Sequence, residues 1–582
     1  MIKPGRWDLS SLVGQPSELE ERVERIKNLA ESFGKLREDL DPEMPSEEFG
    51  GILQRIENLT EESSMATGYA SLMYAADTQS DEATSLLTRM RKLGADISNQ
   101  VLFFDLWWMR TVDETNARRL MGDAGDLTEY LRHLRLVASY SLSEPEEKII
   151  NTLDVTGTSA LVKIYDKITG SFKYRARGKS MSREELSGLF KSSNPEVRKT
   201  AYDALLDKFA GQKGVLGEIY QNVVLNWRDE GIQIRGYKTP ISIRNVDNNV
   251  DDITVDSLLR VCKNNSSVFH EFFLHKAELL GVEQLRRYDL YAPVAAKSRE
   301  RRYSYDRSVR LVLESLAEFS PRLSDFARSV FDQNHVDSVL RPGKRDGAFC
   351  STISPKVVPF VFVNFTGKLR DVFTLAHELG HAVHSLAAAD RSILVQHASL
   401  PLAETASTFS ELLLYDRLAE MMPEGEERNM LAVEIDDLYA SILRQSFFTL
   451  FEIDAHRQIA KSTTIDELSD TYLRNLRQQL GDSVDVSDNF AREWICIPHF
   501  YHSPFYCYAY SFGNLLALSL FQRYKREGAD FVPSYLEILS AGGSKKPELL
   551  LSEYGMDIAS EQFWQDGFDY IRQQIRRLST MN

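Results

Sequence analysis

Residues His377 to His381 read H-E-L-G-H: two histidines one helical turn apart, with a glutamate beside the first. Side chains at i and i+4 share one helix face, so both imidazoles can reach a single metal ion. At about 100° per residue His384 falls on the same side, while Val372, Leu375, Leu379, Ala382 and Leu386 gather opposite. The stretch DVFTLAHELGHAVHSLAAAD, residues 371–390, is therefore expected to bury an apolar back and turn a histidine face toward a site. Gly380 sits inside it, where glycine costs about 1 kcal/mol relative to alanine, which points to close approach by another segment.

Two histidines do not complete a catalytic zinc site, which takes three protein ligands and leaves one position for water. The metzincin continuation H-x-x-G-x-x-H fails, because His384 and Ala387 stand where that pattern needs Gly and His. The third ligand is expected to be a downstream carboxylate on another helix, and LAETASTFSELLLYDRLAEMM, residues 402–422, reads as that helix. Glu404 and Glu411 are seven residues apart and share a face. Glu404 is the choice for the metal, and Glu411 for a carboxylate that fixes a ligand's orientation.

HELGHAVH followed by PLAETASTFSE resembles oligoendopeptidase F, within the larger family of thimet oligopeptidase and neurolysin. WDLSSL, NFTGKLRDVFTLAHELGHAVH, HFYHSPFYCYAYSFGN and LSAGGSKKPELL carry the same resemblance, in the family's order, over most of the chain. The resemblance implies a zinc-dependent endopeptidase acting on short, unstructured peptides, with one zinc ion per chain. His377, His381 and Glu404 are then the ligands, and Glu378 is the general base. It also implies a mainly α fold: a two-lobed helical ellipsoid around a deep substrate channel, with a small β element beside the HExxH helix of a zincin-type core. The restriction to short peptides follows from that enclosed channel.

Peptide hydrolysis generates an oxyanion, and a tyrosine hydroxyl or histidine N–H can donate a hydrogen bond to it. IPHFYHSPFYCYAYSFGN, residues 497–514, offers several such groups. By resemblance, Tyr508 and Tyr510 are expected at the transition state, with His499 as a further donor. Tyr506 and His502 are expected to bind substrate. A second binding element is read from VVPFVFVNF, residues 357–365, a β-branched and aromatic run just before the metal helix. Pro359 cannot donate to a ladder, which pushes the run toward a sheet edge. Such an edge can bind an extended peptide by strand addition, with Phe362 against substrate; an ordinary hairpin strand is the alternative.

The chain has 582 residues, 43% hydrophobic and 26% charged, ample for a large core. Its 85 acidic against 69 basic residues give a net charge of −16, which argues against nucleic acid and anionic membranes as partners. Nothing in it fixes an oligomeric state. The start MIKPGRWDLSSLVGQPSELEER lacks an apolar core of signal-peptide length, and no run approaches a membrane span, so a cytoplasmic location is expected. Cys262, Cys350, Cys496 and Cys507 are scattered, which indicates neither a disulfide framework nor a cysteine zinc site.

Long amphipathic stretches fill residues 46–77 and 80–121, the second carrying an aromatic group (Phe103, Phe104, Trp107, Trp108) expected in the core. Residues 154–179 read as a small β-hairpin region. His456, on the amphipathic stretch 444–460, is expected to be structural. The expected division is an N-terminal helical lobe, 1–200, and a catalytic domain, 201–582. Two other classes remain compatible with the residues: a zinc hydrolase of non-peptide amides or esters, and a silent peptide binder. The strand before the metal helix counts against the first, and the intact HExxH with Glu404 against the second.

Overall fold

The computed structural model describes residues 2–294 and 301–581. It is mainly helical, with three small sheets among the described residues. The chain forms two compact units, each assembled from three separated segments. The first comprises Met1–Ser139, Glu300–Met421 and Arg523–Met556; the second comprises Tyr140–Arg299, Met422–Gln522 and Asp557–Asn582. Residue 200, where the sequence suggested a boundary, lies within helix Pro195–Ala210 of the second unit.

In the first unit, helices Pro16–Gly34, Ser46–Ala76 and Asp81–Arg110 pack on one another. Phe104, Trp107 and Trp108 are buried as expected, with Trp108 stacked on Phe49 at 5.2 Å and its indole N–H donated to the Leu131 carbonyl. The same unit holds a three-stranded sheet in the order Val336–Asp337, Phe360–Phe362, Phe349–Ser351. Trp7 packs against Phe349, Phe360 and Phe362 with ring centroids 5.4–6.2 Å apart.

This sheet corrects the reading of residues 357–365. Phe360–Phe362 is the central strand, parallel to Val336–Asp337 on one side and antiparallel to Phe349–Ser351 on the other. Pro359 stands just before the ladder, so its missing N–H costs no bond. Val361 and Val363 donate instead to the carbonyls of His335 and Asp337, at 2.9 and 3.0 Å. Phe362 is fully buried against Trp7 and Phe349, which removes it from substrate contact. Phe349–Ser351 is the strand at the sheet's edge.

Helix Leu369–Ala387 carries the HELGH motif. Its start is fixed by Asp371, whose carboxylate accepts from the Thr366 N–H (2.6 Å), the Thr366 hydroxyl (2.7 Å) and the Lys368 N–H (3.1 Å). Val372, Leu375, Ala376, Leu379 and Ala382 form its apolar back and are fully buried. Helices Tyr305–Phe319, Pro321–Asp332 and Val532–Ser540 pack against it, as does helix Thr405–Met421. At the last crossing a Cβ on Gly380 would lie 2.5 Å from Ser407 Cα and 2.6 Å from the Ala406 carbonyl oxygen. The glycine read from sequence as a sign of close approach is the point where the two backbones meet.

In the second unit, residues 154–179 are only partly a hairpin. Helix Thr158–Gly170 comes first, and Tyr174–Ala176 then pairs with Lys179–Met181. Arg177 (φ +52°) and Gly178 (φ +74°) make the left-handed two-residue turn that suits the twist of the strands. His456 is buried on helix Arg444–Ile459, consistent with a structural role.

Gly380→Ala tests the crossing. The added methyl must push one backbone off the other, at about 1–3 kcal/mol, more than alanine's gain of about 1 kcal/mol in helix propensity. A lowered denaturant midpoint together with weakened metal uptake is expected; unchanged unfolding and uptake would contradict the packing.

Candidate metal centre

His377 and His381 project from one face of helix Leu369–Ala387, their ring centroids 4.9 Å apart and nearly perpendicular. Glu404 comes from the element that crosses at Gly380. The expected helix 402–422 is broken there: Leu400–Ala403 is a single turn, Glu404 has φ −84° and ψ 0°, and helix Thr405–Met421 begins after it. The Glu404 carbonyl accepts the Thr408 N–H at 3.1 Å, so Glu404 caps this helix instead of lying inside it. The Ser407 hydroxyl donates to Glu404 Oε2 at 2.6 Å and aims the carboxylate.

Glu404 Oε2 lies 3.3 Å from His377 Nε2 and 3.6 Å from His381 Nε2. The three ligand-capable atoms all fall within 4.8 Å of one another. A tetrahedral zinc with ligands at about 2.0–2.1 Å would hold neighbouring ligand atoms about 3.3 Å apart, so this donor set fits such an ion. Glu411 lies about two turns further along its helix face and accepts from His377 Nδ1–H, leaving Nε2 to point at Glu404.

The charges in the group are interdependent. Burial favours the neutral imidazole of His377, but the Glu411 hydrogen bond and charge, with Glu404 and Glu378 beyond, hold its pKa up at about 9. Burial outweighs the pull of Glu404 at His381 and drives its pKa down. Glu404 is held below the usual carboxylate range: burial opposes its charge, but both histidines and Ser407 favour it. Glu378 is only 7% exposed; burial, opposed by His377 and reinforced by the charges of Glu404 and Glu411, pushes its carboxyl up to about 7.

His377, Glu378, His381 and Glu404 line a cavity of about 390 Å³ in the first unit. Its other walls were not read from the sequence. The edge strand Phe349–Ser351 contributes Phe349 and Cys350, and the backbone of Cys350 hydrogen-bonds Glu378. Gln396 and His397 line another side. Their backbone is clamped by Gly542 and Gly543: the Gly543 N–H donates to the Val395 carbonyl at 2.7 Å, and a Cβ on Gly543 would sit 2.5 Å from the His397 carbonyl oxygen. No spacing rule links residues 395–397 to 542–543, and Ser407 follows Glu404 by only an ordinary capping distance. His384 lines the same cavity but is buried, and it is not part of the metal-capable group.

The tyrosine–histidine segment belongs to the second unit. It separates into two kinds of residue. His499, Tyr506 and Tyr510 are partly exposed and form one aromatic group, with ring centroids 5.3–6.0 Å apart and Tyr510 OH 3.4 Å from His499 Nε2. Tyr508 is fully buried, its hydroxyl accepting from the Asn248 amide at 2.8 Å, so it supports the fold and does not meet substrate. His502 is engaged elsewhere, bonded to Asp166 at 2.8 Å and edge-on to Tyr165. Phe505, between these groups, has φ +58° and is held by its N–H donated to buried Glu452 at 2.9 Å.

The sequence profile of peptidase family M3 matches residues 189–570. The oligoendopeptidase F homolog of Borreliella burgdorferi is 25% identical over 96% of this chain and 94% of its own length. The plasmid-encoded oligoendopeptidase F of Lactococcus lactis is 25% identical over 99% of this chain and 97% of its own. Among solved structures, a Chlamydophila abortus protein superposes with a TM-score of 0.88 at 23% identity, over 100% of both chains. The oligoendopeptidase-F of Enterococcus faecium gives 0.70 at 20% identity, over 97% of this chain and 98% of its own.

Replacing Glu411 with Ala removes the partner of His377 Nδ1 and frees the ring to turn. A 10–100-fold loss of divalent-metal affinity is expected, read by competition against a chromophoric chelator. Unaltered affinity would mean that Glu411 does not orient the ligand.

Proposed function

The chain belongs to peptidase family M3 and is a metallopeptidase, and we propose that it is a zinc-dependent endopeptidase cutting internal bonds of short, unstructured peptides in the cytoplasm. The observation that carries this reading is the convergence of His377, His381 and Glu404 on one point, with Glu378 beside them in the same cavity. The names of the curated oligoendopeptidase F relatives support oligopeptides as the substrate class. Among the described residues, no helix is long and apolar enough to cross a membrane.

His377, His381 and Glu404 hold the ion, and Glu411 fixes the first of them. Zinc, when bound, supplies Lewis acidity that lowers the pKa of water to about 7 and polarises a carbonyl. Glu378 takes the proton of the attacking water and delivers it to the leaving amine. Burial favours the protonated form of this carboxyl, which helps it hold the proton between its transfer from water and its delivery to the amine. The Phe349–Ser351 edge bounds the cavity beside Glu378 and offers ladder groups to an extended peptide. Tyr510 and His499 are read as oxyanion donors from the sequence resemblance alone.

Mass-spectrometric digests test the activity. Incubation with short peptides, long peptides and a folded protein should give internal cuts in the short peptides alone, abolished by a zinc chelator. Intact peptides from a zinc-loaded sample would favour a non-peptide amide or ester as substrate, or a silent binder. Glu378→Gln separates metal binding from turnover: zinc stoichiometry is kept while kcat falls at least 10²–10⁴-fold. Near-full activity in that variant would remove Glu378 from the role of base.

A further inference from the structure

The second unit encloses a group of charges that the metal centre does not use. Arg287 is 1% exposed and Glu493 is 5% exposed. Arg287 Nη2 donates to Glu493 Oε1 at 2.5 Å, and the Tyr472 hydroxyl donates to Glu493 Oε2 at 3.1 Å. Arg444, on helix Arg444–Ile459, brings a second guanidinium. Its Nη2 lies 3.9 Å from Glu493 Oε1, and its Nη1 donates to the Tyr291 hydroxyl at 3.3 Å. Among the described residues, the ion pairs of both arginines end on Glu493. Two cations share one carboxylate, which leaves one positive charge uncompensated.

The hydrogen-bond inventory points the same way. Arg287 Nε, Arg287 Nη1 and Arg444 Nε are buried without a hydrogen-bond partner, and so is the hydroxyl of Tyr439, which feels the charge of both arginines. A buried donor left unmatched destabilises the fold, and an unpaired buried charge does so more strongly. The rings of Tyr202 and Phe490 lie 5.8 and 5.3 Å from the Arg287 guanidinium and offer it a π face. A π face answers part of the charge, but the in-plane N–H groups still want an acceptor.

We propose that Arg287, Arg444 and Tyr439 form a binding site for a small monovalent inorganic anion, of which chloride is the common example. One negative charge brings the group to neutrality, and a spherical acceptor can serve donors from several directions at once. Arg287, Tyr439 and Tyr472 are closed to solvent, whereas the Arg444 side chain, 27% exposed, gives a way in. The site stands independently of the peptidase reading. Its occupant bears on the donor segment through the chain, since Glu493 lies on the turn of helix Asp488–Cys496 that leads directly to His499.

The test uses the full, metal-loaded chain. Thermal unfolding is compared in sodium chloride and sodium gluconate at equal ionic strength, and crystals are soaked in sodium bromide. Chloride should raise the melting temperature by about 2 °C over gluconate, saturating with concentration as single-site binding requires. Bromide should give an anomalous peak in contact with Arg287 and Arg444. Arg444→Gln should abolish both effects. Equal melting in the two salts with no bromide peak at these arginines would overturn the proposal and assign the space to water. A chloride increment that survives in Arg444→Gln would overturn it as well. The bromide peak in unaltered protein decides the question even where the variant folds poorly.

Discussion

The distance between two helix backbones at Gly380 sets the geometry of the metal centre. Helix Leu369–Ala387 presents both histidines, and the third donor stands at the cap of helix Thr405–Met421, three residues from the contact at Ser407. A side chain at position 380 would press on the backbone at Ala406 and Ser407, next to Glu404. The buried back of the metal helix, from Val372 to Ala382, makes the crossing a property of the core, so the ligands inherit its rigidity.

Within that frame, charge determines the protonation states. Three carboxylates, Glu378, Glu404 and Glu411, surround two imidazoles, and their environments separate them. Glu404 and Glu411 both touch histidine nitrogens; Glu404 is held in its ionised form, whereas Glu378 lies against the edge strand and is pushed toward neutrality. Under the proposed function, neighbouring carboxyl groups would take the distinct tasks of ligand, orienter and proton carrier. The N-terminal helices support this arrangement although they lie outside the family match at 189–570. Trp7 packs on the sheet, and Glu61 accepts from the Ser354 hydroxyl at 2.9 Å and pairs with Lys356 at 2.6 Å.

The metal group was legible in the sequence because helical periodicity is local. H-E-x-x-H fixes a face by spacing alone, and a carboxylate pair seven residues apart signals a second face. The apolar back of the helix and the meaning of Gly380 followed from the same periodicity. What escaped depends on contacts between distant segments. Pro359 suggested a sheet edge, but the strand begins one residue later and pairs on both sides, so Phe362 faces the core. Tyr508 and Tyr510 are two residues apart in a segment rich in hydroxyls; only the packing of Asn248 against the first distinguishes them. Residues 154–179 have strand-like composition, yet tertiary packing makes most of them helix.

The chain leaves one compact unit for the other five times, at residues 139, 299, 421, 522 and 556. Neither unit is therefore a segment that could be excised at a single cut. The unit bearing the metal-capable residues gains its last strip, Arg523–Met556, only after the first two segments of both units have been made. That strip includes helix Val532–Ser540 and the glycines that clamp residues 395–397. A nascent chain stalled before this point carries the HELGH motif without the packing that completes its cavity. Synthesis itself thus delays completion of this cavity until well after the HELGH motif has been made.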